Sequence, residues 1–80
     1  MADLRTVIAG NIRAQRARLK LRQMDLGVEL HLGQSAMSAL ELGQRDVTLP
    51  ELLIICRVMD VPLTTLLRDA DPEDMRVLGL

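Results

Sequence analysis

Residues 23–43 have the sequence QMDLGVELHLGQSAMSALELG. Apolar residues recur three to four apart in each half, as in helices with one buried face. Gly43 follows the second half, where a helix end favours a left-handed residue. Two helices of two to three turns with a tight turn between them have helix-turn-helix proportions. The second would expose Gln34, Ser35 and Ser38, whose amide and hydroxyl groups can hydrogen-bond to base edges, which indicates a DNA-binding element.

The composition favours one small, all-helical domain. The chain has 80 residues, 49% of them hydrophobic, with no aromatic residue. A core of Leu, Ile, Val, Met and Ala is typical of packed helices, whereas sheets usually draw on aromatic and β-branched residues. The single cysteine, Cys56, cannot form an internal disulfide, and we interpret it as core filler in a reducing compartment. No apolar stretch approaches the roughly 18 residues of a membrane span, so we expect a cytoplasmic protein without membrane contact.

Charge is distributed unevenly along the chain. The formal net charge is −1, but residues 1–45 carry +3 and residues 46–80 carry −4. A positive first half can face phosphate while the acidic half faces away from DNA or toward a partner. The overall negative charge therefore does not exclude nucleic acid as a partner.

Helix signals also lie on both sides of the central stretch. Asp3 can cap a first helix that ends near residue 20, and Thr48 can cap a helix over residues 49–59. The second of these is the most apolar segment, and we predict that it is the central buried element. A fifth helix is predicted to end near Asp69. Residues 71–80 start like a helix but are too short to be stable alone, so we expect them to pack on this domain or on a second copy.

From Ile8 to Leu67 the chain resembles the phage repressor and Cro type of helix-turn-helix domain, the XRE family. The residues that carry the resemblance are Ile12-Arg13, Arg16, Gln23, Leu26-Gly27, Met37-Ser38, Glu41-Leu42-Gly43, Leu52 to Met59, and Leu66-Leu67. Their joint spacing is more specific than any single motif. The resemblance implies a compact five-helix lambda-repressor-like bundle in a DNA-binding domain over residues 1–70. Residues 71–80 then form a short helical tail, which we expect to take part in dimerisation.

The resemblance also implies roles for individual residues. Base contacts in the major groove are implied for Gln34, Ser35, Ser38 and Ala39. Phosphate contacts are expected for Gln23, Arg22, Arg13, Gln44 and Arg45. Arg16 and Glu41 would form a partly buried ion pair between the first helix and the recognition helix.

Three residues depart from the family pattern. His31 stands where the turn normally has glycine, so either it adopts a left-handed conformation or the turn is altered. Gly27 replaces the usual alanine, at a cost of about 1 kcal/mol in helix propensity. Arg22 stands where a Ser or Thr cap is usual. The recognition helix has no Lys or Arg, so affinity would come mostly from phosphate contacts and from pairing two copies.

We therefore expect a homodimeric transcription regulator that binds double-stranded DNA at a palindromic operator, with Met75–Leu80 and the fifth helix as the dimer face. A phage regulator, a restriction-modification controller protein and an antitoxin remain open. A protein-interaction module that uses the acidic half and the apolar tail is the alternative. An enzyme is not expected, because His31 is the only histidine and Ser35 and Ser38 have no base at fixed spacing. We expect no metal, cofactor or small-molecule substrate.

Overall fold

The computed structural model describes residues 3–80, and all the regular secondary structure in that range is helical. The helices are α1 (Leu4–Arg18), α2 (Gln23–Glu29), α3 (Gln34–Glu41), α4 (Leu49–Met59), α5 (Leu63–Leu66) and α6 (Pro72–Leu78). The predicted all-α class, five helices followed by a short helical tail, is confirmed. The first helix ends two residues earlier than expected, and α5 is a single turn.

Side-chain caps define the starts of α1 and α4. Asp3 accepts from the Thr6 backbone N–H at 2.8 Å. Thr48 Oγ1 accepts from the Glu51 N–H at 3.2 Å, while the Glu51 carboxylate accepts from the Thr48 N–H at 2.9 Å. Each cap satisfies backbone donors that the first turn of a helix leaves without an intrahelical partner. At α2, where Arg22 offers no such cap, Asp25 accepts from the Arg22 N–H at 2.7 Å instead.

The turn between α2 and α3 contains a left-handed histidine. His31 has φ 57°, so of the two alternatives for this position the left-handed conformation is the one adopted. This conformation costs a residue with a Cβ about 1 kcal/mol more than it costs glycine. Gly43, after α3, has φ 73°, and its backbone lies close to Thr6 of α1. A side chain at that position would be strained and would also meet the first helix.

Helix α1 packs against α3, α4 and α5. The largest fully buried side chains come from five helices and are Ile12, Leu26, Met37, Leu40, Ile55 and Leu66. Helix α4, predicted to be the central buried element, packs against α1, α2 and α5 and buries Leu52, Ile55 and Met59. Its other face stays in solvent and leaves Leu49 and Leu53 exposed, because an apolar helix can cover the core with one face only. The cysteine Cys56 is half-buried against the core, and burial raises the pKa of its thiol.

The last helix, α6, buries little surface against the rest of the protein. No residue of α6 is fully buried, although Met75 packs against the core. Val77 is 72% exposed, and Leu78 and Leu80 are also exposed. Within residues 3–80, none of the helices combines the length and the hydropathy that a bilayer crossing requires.

Candidate nucleic-acid interface

Helices α2 and α3 pack against each other and present one ridge to solvent. The inward side of α3 buries Met37, Leu40 and Glu41. Its outward side begins with Gln34 and Ser35, which are both exposed, followed by the half-buried Ser38 and Ala39. The four residues predicted to contact bases therefore lie on the outer side of α3.

A buried ion pair fixes α3 to α1. Arg16 Nε and Nη2 donate to the two carboxylate oxygens of Glu41 at 2.6 and 2.9 Å. The remaining Arg16 nitrogen, Nη1, donates to the backbone oxygen of Leu21 at 2.7 Å, which ties the α1–α2 connection to the same group. The hydrogen bonds to Glu41 raise the pKa of Arg16. Bidentate geometry constrains both distance and rotation, so the pair adds to the packing of Met37 and Leu40 in fixing how α3 sits on the bundle.

The Gln23 side chain joins the ion pair to the exposed ridge. Its amide nitrogen donates to Glu41 Oε1 at 3.1 Å. Its amide oxygen accepts from Ser38 Oγ at 3.1 Å and from the Gln34 amide nitrogen. The structure thus brings the predicted phosphate contact Gln23 together with two of the predicted base contacts. Sequence reasoning placed these residues on the same surface but did not detect that they bond to one another.

A shallow cleft separates the first turns of α2 and α3. It has a volume of about 400 Å³ and is open to solvent. Its walls are formed by Arg22, Gln23, Met24, Asp25, Val28 and Gln34. Arg22 extends into solvent, with only a 3.4 Å contact to Asp25. Arg22 is therefore placed at the rim of the cleft, beside the ridge of α3.

Arg45, predicted to contact phosphate, has an intramolecular partner. Its guanidinium donates to both oxygens of Glu51 at 3.1 and 2.8 Å and to the backbone oxygen of Asp46 at 3.1 Å. The hydrogen bonds from Arg45 lower the pKa of Glu51. The capping box with Thr48 turns the Glu51 carboxylate back toward the preceding loop, but this signal does not identify Arg45 as its partner in an ion pair. We did not predict it.

The other predicted phosphate contacts lie at the surface. Arg13 on α1 and Gln44 after α3 are both exposed. The Gln44 backbone N–H closes the end of α3 by donating to the oxygen of Ala39 at 2.9 Å, and its side chain is left in solvent. The described part of the chain brings no three His, Cys, Asp or Glu side chains together in a way that could hold a metal ion.

Comparison with known proteins decides the family. The family model described as a helix-turn-helix domain matches residues 8–69, most of the chain. The chain belongs to the helix-turn-helix domain family. Membership of this family points to a DNA-binding protein.

The fold is shared with a solved structure of a regulator. The crystal structure of the clp gene regulator ClgR from C. glutamicum superimposes with a TM-score of 0.77 at 21% sequence identity. The match covers 84% of this chain and 87% of that one. At this identity the likeness concerns the fold. Among curated proteins, none matches the sequence.

Proposed function

We propose that this helix-turn-helix protein is a sequence-specific transcription regulator of the phage repressor and Cro type, acting in the cytoplasm as a homodimer on a palindromic operator. The observation that carries the proposal is the outward ridge of α3, which begins with exposed Gln34 and Ser35 and is anchored from behind by the Arg16–Glu41 pair. A polar helix held rigidly at the surface can enter the major groove without rearrangement.

Base contacts come from the outer side of α3. Gln34 carries a donor and an acceptor that match adenine N7 and the adenine amino group, and Ser35 can hydrogen-bond to either type of base edge. Ser38 lies one turn further along α3 and is half-buried. We expect it to reach a base when the N-terminal end of α3 enters the groove. The Ala39 methyl group can contact the thymine methyl group. We assign sequence preference to these four residues.

Phosphate contacts come from the surrounding surface. Arg13, Arg22 and Gln44 are exposed. Gln23 has its side-chain amide engaged with Glu41 and α3, so we expect it to contact phosphate with its second N–H. The Arg45 guanidinium is bound to Glu51, and its remaining donor capacity and positive charge act at the edge of the interface. These contacts set affinity rather than base preference.

Two copies are needed for tight and specific binding. A single module buries a small interface, whereas a two-fold pair contacts two half-sites about 34 Å apart on the same side of the duplex. We place the dimer contact at the tail, where Val77 and Leu78 of α6 and the following Leu80 are exposed, and where no residue of α6 is fully buried. Helix α5 lies near the start of this tail. The similar solved structure is that of a gene regulator, which supports a regulatory role.

A second candidate is a protein-interaction module or antitoxin that keeps the fold with weak DNA binding. It is favoured by the absence of Lys and Arg from α3 and by the exposed apolar residues of α6. In that case the acidic second half of the chain faces a protein partner. Phage regulator and controller protein are two forms of the leading proposal and share its chemistry.

Selection of bound duplexes from a random pool, at about 50 mM salt, tests the proposal. We expect a two-fold symmetric consensus with adenine in each half-site. Gln34→Ala should relax the preference at one step per half-site by about 1–3 kcal/mol, while Arg45→Ala should weaken binding to all sequences alike. Both variants should retain the helical circular dichroism spectrum of the wild type. Absence of any enriched sequence would contradict the proposal and favour the interaction module.

A further inference from the structure

Glu41 stands at the inner end of a continuous chain of hydrogen bonds that reaches the exposed start of α3. The residue is 3% exposed. Its carboxylate holds the Arg16 guanidinium at 2.6 and 2.9 Å, and its Oε1 also accepts from Gln23 Nε2 at 3.1 Å. Arg16 is fixed in turn by its bond to the Leu21 backbone oxygen. The acceptor that faces Gln23 is therefore buried and already paired with Arg16.

A carboxylate in this position determines which way the Gln23 amide points. An amide group can turn over and exchange its donor and its acceptor, but a carboxylate paired with a guanidinium only accepts. Glu41 consequently holds the Gln23 NH₂ group inward and leaves the Gln23 oxygen facing α3. That oxygen accepts from Ser38 Oγ at 3.1 Å and from the amide nitrogen of Gln34. The orientation of Gln34 thus follows from that of Gln23.

We propose that Glu41 is a positioning residue for base recognition, which acts through Gln23 to set the order of donor and acceptor that Gln34 presents to DNA. This inference rests on the proposed function. With one N–H directed to Gln23, the second N–H and the oxygen of Gln34 match adenine N7 and the adenine amino group. The Ser38 proton is used by Gln23, so Ser38 faces DNA as an acceptor. Base preference at the surface is set in part by a residue that never touches a base.

Glu41→Gln tests this directly, because it preserves size but supplies a group that can donate as well as accept. The Gln23 amide can then turn over, and the Gln34 amide with it. We expect the ratio of affinities for the adenine and guanine forms of the selected duplex to fall at least fivefold. Replacing that adenine with 7-deazaadenine should weaken wild-type binding clearly and change binding of the variant less than twofold.

Asp46→Asn is the matched control. It also replaces an acid that is paired with an arginine, in the Arg5–Asp46 pair at 2.8 Å, but it touches neither Gln23 nor Gln34. The adenine-to-guanine ratio of this control should stay within twofold of the wild-type value. A Glu41→Gln protein that is folded and keeps the wild-type ratio would overturn the proposal.

A second variant and an NMR measurement provide two further tests of the proposal. If Glu41→Gln does not fold, Gln23→Met removes the amide while retaining the Arg16–Glu41 pair, and an unchanged adenine preference in that variant would overturn the proposal. Side-chain amide resonances of Gln34 in the free protein should shift in Glu41→Gln and stay in place in Asp46→Asn. Wild-type protein that binds no DNA would contradict the proposed function, whereas unshifted resonances would contradict the role of Glu41 independently of DNA.

Discussion

Two arginine–glutamate pairs lie at the C-terminal end of α3, and they share bidentate chemistry but differ in burial. In the inner pair, Arg16–Glu41, the two side chains are 17% and 2% exposed. In the outer pair, Arg45–Glu51, they are 31% and 15% exposed. The inner pair joins α1 to α3, whereas the outer pair joins the loop after α3 to the first turn of α4.

Burial gives the two pairs different tasks. Two charges that are removed from water are stabilised mainly by each other. Losing one member of the inner pair therefore leaves a buried charge that water cannot solvate. The outer pair remains in contact with solvent, which screens its attraction and can replace either partner. We infer that the inner pair holds the geometry of the recognition helix. The outer pair holds the Arg45 guanidinium at the surface, where under the proposed function it would contact phosphate.

The largest expected effect is the loss of the inner acid. Glu41→Ala should reduce the free energy of unfolding by about 3–5 kcal/mol, because it leaves the Arg16 guanidinium buried and unpaired. Urea unfolding followed by circular dichroism measures this loss. For the outer pair, Arg45→Ala should cost less than about 1 kcal/mol. Equal losses from the two variants would contradict the distinction between inner and outer pairs.

A smaller effect concerns acid stability. Because the hydrogen bonds from Arg45 hold the pKa of Glu51 below its ordinary value of 4.5, the pair stabilises the fold at pH values above 4.5. This contribution is lost as the pH falls through the lowered pKa. The stability difference between wild type and Glu51→Gln should therefore be present at neutral pH and shrink below pH 4.5. Unfolding curves at several pH values test this, and a difference that grows with acid would be contrary to expectation.

The smallest expected effect is a gain in stability at His31, and it tests whether the turn or the inner pair sets the orientation of α3. His31→Gly relieves a left-handed conformation at φ 57° and should stabilise the fold by about 0.5–1 kcal/mol. If the Arg16–Glu41 pair determines the placement of α3, the ranking of bound DNA sequences should not change. Thermal unfolding and repeated DNA selection measure the two parts. A changed consensus would show that the turn also sets the orientation of α3.

Local chemistry made most of the fold predictable. Helical periodicity and the caps at Asp3 and Thr48 placed α1 and α4, because these signals act over one turn. The partial exposure of α4 could not be predicted, since it depends on how many helices share one small core. The sequence left two alternatives for His31, a left-handed conformation or an altered turn, and the structure has the first of them.

Less of the candidate interface was predictable. The resemblance suggested the Arg16–Glu41 pair and the outer residues of α3, and the structure places both as described above. The bonds from Gln23 to α3 depend on the angle between two helices, which no local pattern encodes. The Arg45–Glu51 pair depends on the path of a loop. In both cases the contacting residues are not spaced in the sequence as neighbours on one helix or strand would be.

The most direct test of the account is the spacing between half-sites. The selected duplex and a version with five base pairs inserted at its centre should be titrated with the protein by fluorescence anisotropy at the same salt concentration. Two recognition helices about 34 Å apart require half-sites on one side of the duplex, and half a helical turn moves one of them to the opposite side. We predict that the insertion reduces affinity toward the non-specific level, at least a hundredfold. Equal affinity for the two duplexes would contradict binding by a pair of α3 helices.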